Sequence, residues 1–439
     1  MEIQVNKLRE LMELFKPVVP KKSALPITAY IRLGEGKATA TDLETMVIAD
    51  LPEAEEPMLL PFASLAEMLK YVPGDGTIKI EVQNKKVSLV WSGGTASYPT
   101  EAIQDFPVLP EMPNKAEGMI DGDTLIAAML AALPYVATDE SRPVLSGVTL
   151  VLGSPIEVAA GDGFRMSHQV LGLSFPLEVK IIVPAHAVRI LGHVFAKTPR
   201  TPPSSADSLI PIIIAKRQLH MALAGENKVR LDFGRTASVV INLIAGTSPE
   251  WLKLIPKGEP VLQSQVFAPQ LEAAVKRVRA IAKDGSGIVR MVFADGNLTV
   301  SARGEDQEIS ATIDTLNTQG EPGRMALNHT YLLDFLSGKQ GIVIVSQYDK
   351  MGPLVFQYQN SPRVLIMPMF VEWGDEKPAT AEKAEPEPET IEENPEAEPE
   401  EELEPSLDTE EEAAEAAEEP ETVAVVPPTE TPAKRKRKR

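Results

Sequence analysis

Apolar positions along the chain follow two rhythms that alternate and recur three times in the same order. Leu8, Leu11, Met12 and Phe15 fall at i, i+3, i+4 and i+7, the spacing of one helix face. Leu125, Ile126, Met129, Leu130 and Leu133 repeat that spacing, and Leu271, Val275, Val278 and Ile281 repeat it again. A second helical stripe comes after each: Leu65, Met68, Leu69 and Val72; then Val188, Leu191 and Phe195; then Leu332, Phe335 and Leu336. Pro61 and Pro184 stand at two of these starts, where a missing N–H removes no intrahelical bond.

The other rhythm has period two. TIKIEVQNKKVSLVW, turning at Gln83–Lys86, HMALAGENKVRLDF, turning at Gly225–Lys228, and GIVIVSQYDKMGPLVFQY each predict a hairpin behind the second helix. A further strand ending at a proline is expected after each hairpin, over Phe106–Pro110, Ser248–Pro256 and Ile366–Met369. Another meander separates the two helices of each unit, carrying TATDLE at Thr39–Glu44, AAGDGFRM at Ala159–Met166 and VSARGEDQ at Val300–Gln307. Residues 1–374 therefore read as three copies of one helix-and-strand unit, an α+β fold of three like domains at 1–117, 118–258 and 259–374.

Charge separates this body from the C-terminal 65 residues. The chain of 439 residues carries −20, but 23 acidic and 8 basic residues lie beyond Gly374, so the body carries only −5. Residues 375–439 are rich in Glu and Pro and poor in large apolar side chains. They cannot offset an ordering entropy of about 1–2 kcal/mol per residue, so a disordered acidic tail is expected. Its last six residues, KRKRKR, fit either a solvated end or a basic hook for nucleic acid.

Candidate chemistry is sparse. The chain has no cysteine, which excludes disulfides, thiolate metal sites and cysteine nucleophiles. His168, His186, His193, His220 and His329 show no metal-binding spacing, and no nucleophile elbow, phosphate loop or dinucleotide fingerprint is present. Gly161-Asp162-Gly163-Phe164 lacks the spaced acidic ligands of a calcium loop. No catalytic residue, metal or cofactor is expected. No apolar run reaches the roughly 18 residues of a membrane span and the start lacks a signal-peptide layout, so a soluble, cytoplasmic protein is expected. On the third leading helix Lys276, Arg279 and Lys283 lie away from the apolar stripe, as on a helix facing phosphate or on an ordinary solvated face. The first helix carries Lys7, Arg9 and Lys16, diluted by Glu10 and Glu13.

Ser141-Arg142-Pro143-Val144-Leu145-Ser146-Gly147-Val148, with Ala160-Gly161-Asp162-Gly163-Phe164-Arg165-Met166 shortly after it, resembles the bacterial sliding clamp, the β subunit of DNA polymerase III. Three further stretches resemble it in order: Leu25-Pro26-Ile27 with Thr41-Asp42-Leu43-Glu44, Pro249 to Pro256, and Tyr331-Leu332-Leu333-Asp334 with Ile366-Met367-Pro368-Met369. The resemblance implies a homodimeric ring, helices lining the hole, that encircles duplex DNA without sequence specificity. It would be a processivity factor tethering the replicative polymerase and handled by a clamp loader, not itself an enzyme. It further implies a peptide pocket drawn from Leu145, Gly163, Phe164, Arg165, Met166, Pro249, Lys253, Leu254, Leu365, Ile366, Met367, Pro368 and Met369. Lys22 and Arg142 would join Lys276, Arg279 and Lys283 against DNA, and Ile281 and Ala282 would lie at the dimer contact.

The sequence also departs from that pattern. Phe164 stands where the family has His, and Gly161 where it has Thr. Ala63, Asp139, Pro143 and Val144 replace residues that contact DNA in some relatives, and Lys197–Asp207 is a proline-rich excursion. The alternatives are a clamp paralogue acting as a peptide-binding scaffold without encircling DNA, and an unrelated enzyme or adhesin built on the same repeat.

Overall fold

All six apolar stripes lie on helices in the computed structural model, which describes residues 1–22, 25–107, 113–139, 141–199, 217–225, 227–234, 236–294, 296–359 and 361–373. Met1–Trp373 forms one compact unit. The expected tail with its basic end, the strand segment Val108–Pro110 and most of the Lys197–Asp207 excursion lie outside the described residues.

The first copy begins with β1 (Glu2–Gln4) and α1 (Val5–Phe15). It continues through β2 (Tyr30–Gly34), β3 (Lys37–Thr41), β4 (Thr45–Asp50) and β5 (Met58–Pro61) to α2 (Phe62–Leu69). It closes with β6 (Thr77–Gln83), β7 (Lys86–Trp91) and β8 (Gly94–Pro99). The second copy keeps that order: β9 (Asn114–Asp121), α3 (Gly122–Ala132), β10 (Gly147–Leu152), β11 (Ile156–Gly161), β12 (Arg165–Leu171) and β13 (Val179–Pro184). Then come α4 (Ala185–Lys197), β14 (Gln218–Ala224), β15 (Lys228–Phe233) and β16 (Ala237–Asn242). A single helical turn, α5 (Trp251–Leu254), leads to the third copy, which opens with β17 (Leu262–Phe267) and α6 (Ala268–Asp284). Its meander is β18 (Ile288–Ala294), β19 (Asn297–Arg303), β20 (Glu308–Asp314), one added strand β21 (Asn317–Gly320), and β22 (Gly323–Asn328). It ends with α7 (His329–Leu336), β23 (Ile342–Gln347), β24 (Leu354–Gln357) and β25 (Arg363–Ile366).

Local chemistry explains these elements. Leu8, Leu11, Met12 and Phe15 are all buried on α1, and Leu271, Val275 and Val278 on α6. The β6–β7 turn places Asn84 and Lys85 at φ 49° and 60°, the left-handed pair that a two-residue hairpin turn requires. Two expectations change. Residues 248–256 hold the helical turn α5 rather than a strand, and the last strand stops at Ile366, before Met367. Proline has no N–H for a ladder, so Pro249, Pro256 and Pro368 bound or end pairing instead of joining it. On α3, Leu130 is 39% exposed and lies over Gly192 of α4 instead of entering the core.

The sheets cross from copy to copy. Within the first and second copies, and again in the third, each set of four strands makes a half-sheet. β4 pairs antiparallel with β16, Ala49 opposite Ala237, so the first and second copies share an eight-stranded sheet. β12 pairs antiparallel with β25, Met166 opposite Leu365, so the second and third share a nine-stranded sheet. The half-sheets ending in β8 and β20 gain no such extension.

A cation closes the second helix of every copy. The last carbonyls of a helix have no intrahelical donor and carry partial negative charge. Arg9 Nε donates to the Leu69 carbonyl of α2 at 3.0 Å. Arg217 Nη1 donates to the Phe195 carbonyl of α4 at 2.7 Å, stacks 3.7 Å above the Phe195 ring, and pairs with Asp123 of α3 at 2.7 Å. Lys339 Nζ donates to the Phe335 carbonyl of α7, and burial pushes its ammonium below the ordinary lysine value. Replacing Arg217 with Ala strands Asp123 and the helix end together. The expected loss is about 2–4 kcal/mol of stability, read from the urea midpoint. An unchanged midpoint would show that solvent replaces these bonds without loss.

Candidate functional site

The turn between β11 and β12 is built by one side chain. Asp162 Oδ1 accepts the N–H groups of Phe164 and Arg165, both at 2.9 Å, and Oδ2 accepts Arg165 Nε at 3.0 Å. The first copy repeats the device, with Asp42 Oδ1 accepting from Glu44 and Thr45 at 3.0 and 2.6 Å. Gly163 takes φ +97° here, a conformation that glycine adopts without strain. The turn lifts the Phe164 ring to solvent, 56% exposed. The carboxylate of Asp162 is thereby committed to N–H donors.

Arg165 does not project into open space. Its guanidinium pairs with Asp162 and, at 2.6 Å, with Asp334 on α7 of the third copy. It also lies 4.3 Å from the centroid of the Tyr331 ring and 5.4 Å from that of Tyr135. Burial opposes its charge, but the two carboxylates outweigh that and hold its pKa above the ordinary arginine value. Burial pushes the Tyr135 phenol well above the usual range. Arg165 is thus the pin that joins the second copy to the third beside the β12–β25 seam.

A separate apolar cluster sits on that seam: Ala137, Leu145, Ala159, Met166, Trp251, Val355 and Leu365, with Val144, Ile255 and Tyr348 packed against it. Three expected pocket residues, Leu145, Met166 and Leu365, meet here and are nearly covered. Ile366 does not join them. Side chains alternate along a strand, so Ile366 points into the main core on the opposite face and has no exposed surface. The exposed rim is Phe164, Leu254, Met367, Met369 and Phe370, with Met367 N donating to the Phe164 carbonyl at 2.8 Å. Pro368 and Pro249 are half-buried, and Lys253 is exposed and paired with Glu250. Met367-Pro368-Met369 is therefore a rim beyond the strand end, not a strand floor.

Trp251, Val355, Tyr348, Ala137 and Tyr135 were not singled out from the sequence. One signal was available for Trp251. A Cβ on Gly161 would sit 2.8 Å from Trp251 Cζ3 and 3.0 Å from the Arg165 carbonyl, so the missing side chain at 161 makes room for the indole. The indole is 7% exposed and its Nε1 has no hydrogen-bond partner among the described residues.

The residues expected against DNA fall into two groups. Lys22, Arg142, Lys276, Arg279 and Lys283 are all exposed. Lys276 is paired with Glu272 at 2.8 Å, and the Arg142 guanidinium packs over Gly163. Arg279 and Lys283 make no ion pair among the described residues, nor does Arg277 beside them. Ala63, Asp139 and Pro143 are exposed; Val144 packs against the seam cluster. The cations of the first helix are otherwise engaged: Lys7 pairs with Glu53, Lys16 with Glu13, and Arg9 closes α2. Ala282 cannot be a contact with a second copy. It is 1% exposed because it continues the stripe of Leu271, Val275 and Val278 into the core, and only Ile281 is half-exposed.

The fit of Trp251 against Gly161 is testable. Gly161→Thr should lower stability by about 1–3 kcal/mol through overpacking, and Trp251→Tyr in the same chain should recover part of that loss. Strictly additive urea midpoints would show that the two side chains do not share this space.

Residues 253–369 match the family described as DNA polymerase III beta subunit, C-terminal domain. The Beta sliding clamp of Pseudomonas aeruginosa strain PAO1 is 23% identical over 381 residues, spanning 84% of this chain and 98% of its own. The Beta sliding clamp homolog GriR of Streptomyces muensis is 26% identical over 284 residues, spanning 64% of this chain and 70% of its own. Among solved structures, the DNA polymerase III beta subunit of Thermotoga maritima superposes with a TM-score of 0.73 at 19% identity, covering 84% of this chain and 99% of that one. The Pseudomonas aeruginosa clamp bound to griselimycin does so at 0.74 and 21% identity, covering 84% and 99%. The structures share the fold, and the family match and the near-full-length relatives agree on one lineage: the chain belongs to the bacterial β sliding clamp family.

Proposed function

We propose that this chain is a DNA polymerase processivity factor: a non-catalytic ring of two copies that encircles duplex DNA and tethers the replicative polymerase. The observation that carries the reading is the passage of sheets between copies. β4 meets β16 and β12 meets β25, each joining the last strand of one half-sheet to the last strand of another. β8 and β20 are the two corresponding strands without a partner, and a second chain can supply one for each. The three repeats would then be domains 1–117, 118–258 and 259–374, placed head to tail around the ring.

Retention in such a ring is topological, so chemical affinity for DNA can stay low. A body with a charge of −5 fits that better than a strongly basic static binder would. Arg277, Arg279 and Lys283 supply free cations on α6 for sequence-independent phosphate contact. The seam cluster with its exposed Met367, Met369, Leu254 and Phe164 rim offers large apolar anchors of a polymerase or clamp-loader peptide a place to dock. Opening by a loader is part of the reading, since a closed ring cannot thread onto circular DNA. No helix among the described residues is long and apolar enough to cross a membrane, and cytoplasmic residence accords with the replication role.

The solution mass should be twice the 47.6 kDa of one chain. Ring loaded onto nicked circular DNA should remain bound and be released when the circle is cut. A monomer at micromolar concentration, or equal retention on circular and linear DNA, would overturn encirclement. Met367→Ala with Met369→Ala should weaken polymerase-peptide binding by about 1–3 kcal/mol while leaving the dimer intact. Unchanged anisotropy titrations would move the docking site elsewhere.

A further inference from the structure

The β12–β25 seam does not end at the apolar cluster. Met166 faces Leu365 and, two residues further along, His168 faces Arg363. Side chains two apart share a face, so Arg363 lies on the cluster's side of the sheet, about 7 Å away. There the seam opens into a cavity of about 940 Å³ between β12, the link that carries α5, and the end of β24. Ile255 lines this cavity and also packs against the apolar cluster, so the two surfaces are continuous.

The chemistry of the cavity differs from that of the cluster. Val170 and Leu252 give it an exposed apolar wall. Lys253, Lys257 and Arg363 stand around it, and no carboxylate is among its described lining residues. Glu250 pairs with Lys253, whereas Lys257 and Arg363 make no ion pair among the described residues. His168, also in the lining, is held by Glu157 at 2.8 Å. In a body of net negative charge, a concave surface with two uncompensated cations selects for acidic occupants.

We propose that this cavity is a second subsite for partner peptides, taking acidic residues that flank an apolar anchor seated on the seam. The inference rests on the peptide-docking reading and adds a charge preference to it. An extended peptide rises about 3.3 Å per residue, so acidic side chains two to four positions from the anchor reach Arg363 and Lys257. The preference acts on one flank only, because the cavity lies on one side of the cluster.

Fluorescence anisotropy on the full chain tests this with three labelled peptides: a central Leu-Phe anchor with Gly/Ser flanks, and the same anchor with Asp-Glu-Glu on either side. One acidic peptide should bind about three- to tenfold tighter than the neutral one at low ionic strength, and the gain should shrink with salt. Lys257→Glu with Arg363→Glu should abolish that gain and leave the neutral peptide unchanged. Both positions are on the surface, and Lys257→Gln with Arg363→Gln gives a milder second variant that should lose most of the gain. Binding of the neutral peptide with no gain from either acidic flank overturns this inference alone, as does a gain that survives charge reversal. Failure of all three peptides to bind overturns the docking reading and the subsite together.

Discussion

Backbone N–H and C=O groups at a strand edge must find partners, and this requirement organises everything above the single repeat. Each copy builds two half-sheets, and one outer strand of each is left with an open ladder. The chain satisfies two of these ladders internally, at β4–β16 and β12–β25. Because those pairings tie residues far apart in sequence, they set the relation of one copy to the next. They also decide where a groove can form, since a seam between copies is where two separately built surfaces meet.

At the second seam, such a meeting commits its charged groups to structure. Arg165 reaches Asp334 across 169 positions of sequence and is flanked by Tyr135 and Tyr331. A guanidinium so fully engaged positions the turn and the strand and has little left for a ligand. Contact with a partner falls instead to flexible or aromatic apolar side chains at the rim. Trp251 fills the space that Gly161 leaves, so the interior of the seam is closed and its binding surface lies around the edge.

Electrostatics divides in the same way between structure and surface. Arg9, Arg217 and Lys339 are committed to helix ends, where several orphan carbonyls and a favourable dipole hold one cation. Arg277, Arg279 and Lys283 are not. Counting basic residues on a helix cannot separate the two groups, because α1 and α6 carry similar numbers and differ in what stands opposite them.

Local order was legible in the sequence to a large degree. Period 3.6 and period 2 are properties of neighbouring residues, so the six apolar stripes, the three hairpins, their turns and the threefold order could be read directly. The similarity of motifs along the chain pointed to Leu145, Met166 and Leu365 as companions, and they are. The sequence could not tell Leu365 from Ile366, because which face of a strand meets the core depends on a register set by β12. It could not show that Ala282 is covered, that residues 248–256 turn as a helix between prolines, or that Arg165 belongs to Asp334. Those outcomes were decided by tertiary structure for one physical reason. A side chain's periodicity is fixed by its nearest neighbours, whereas its partners are chosen among surfaces that only the completed ladders bring together.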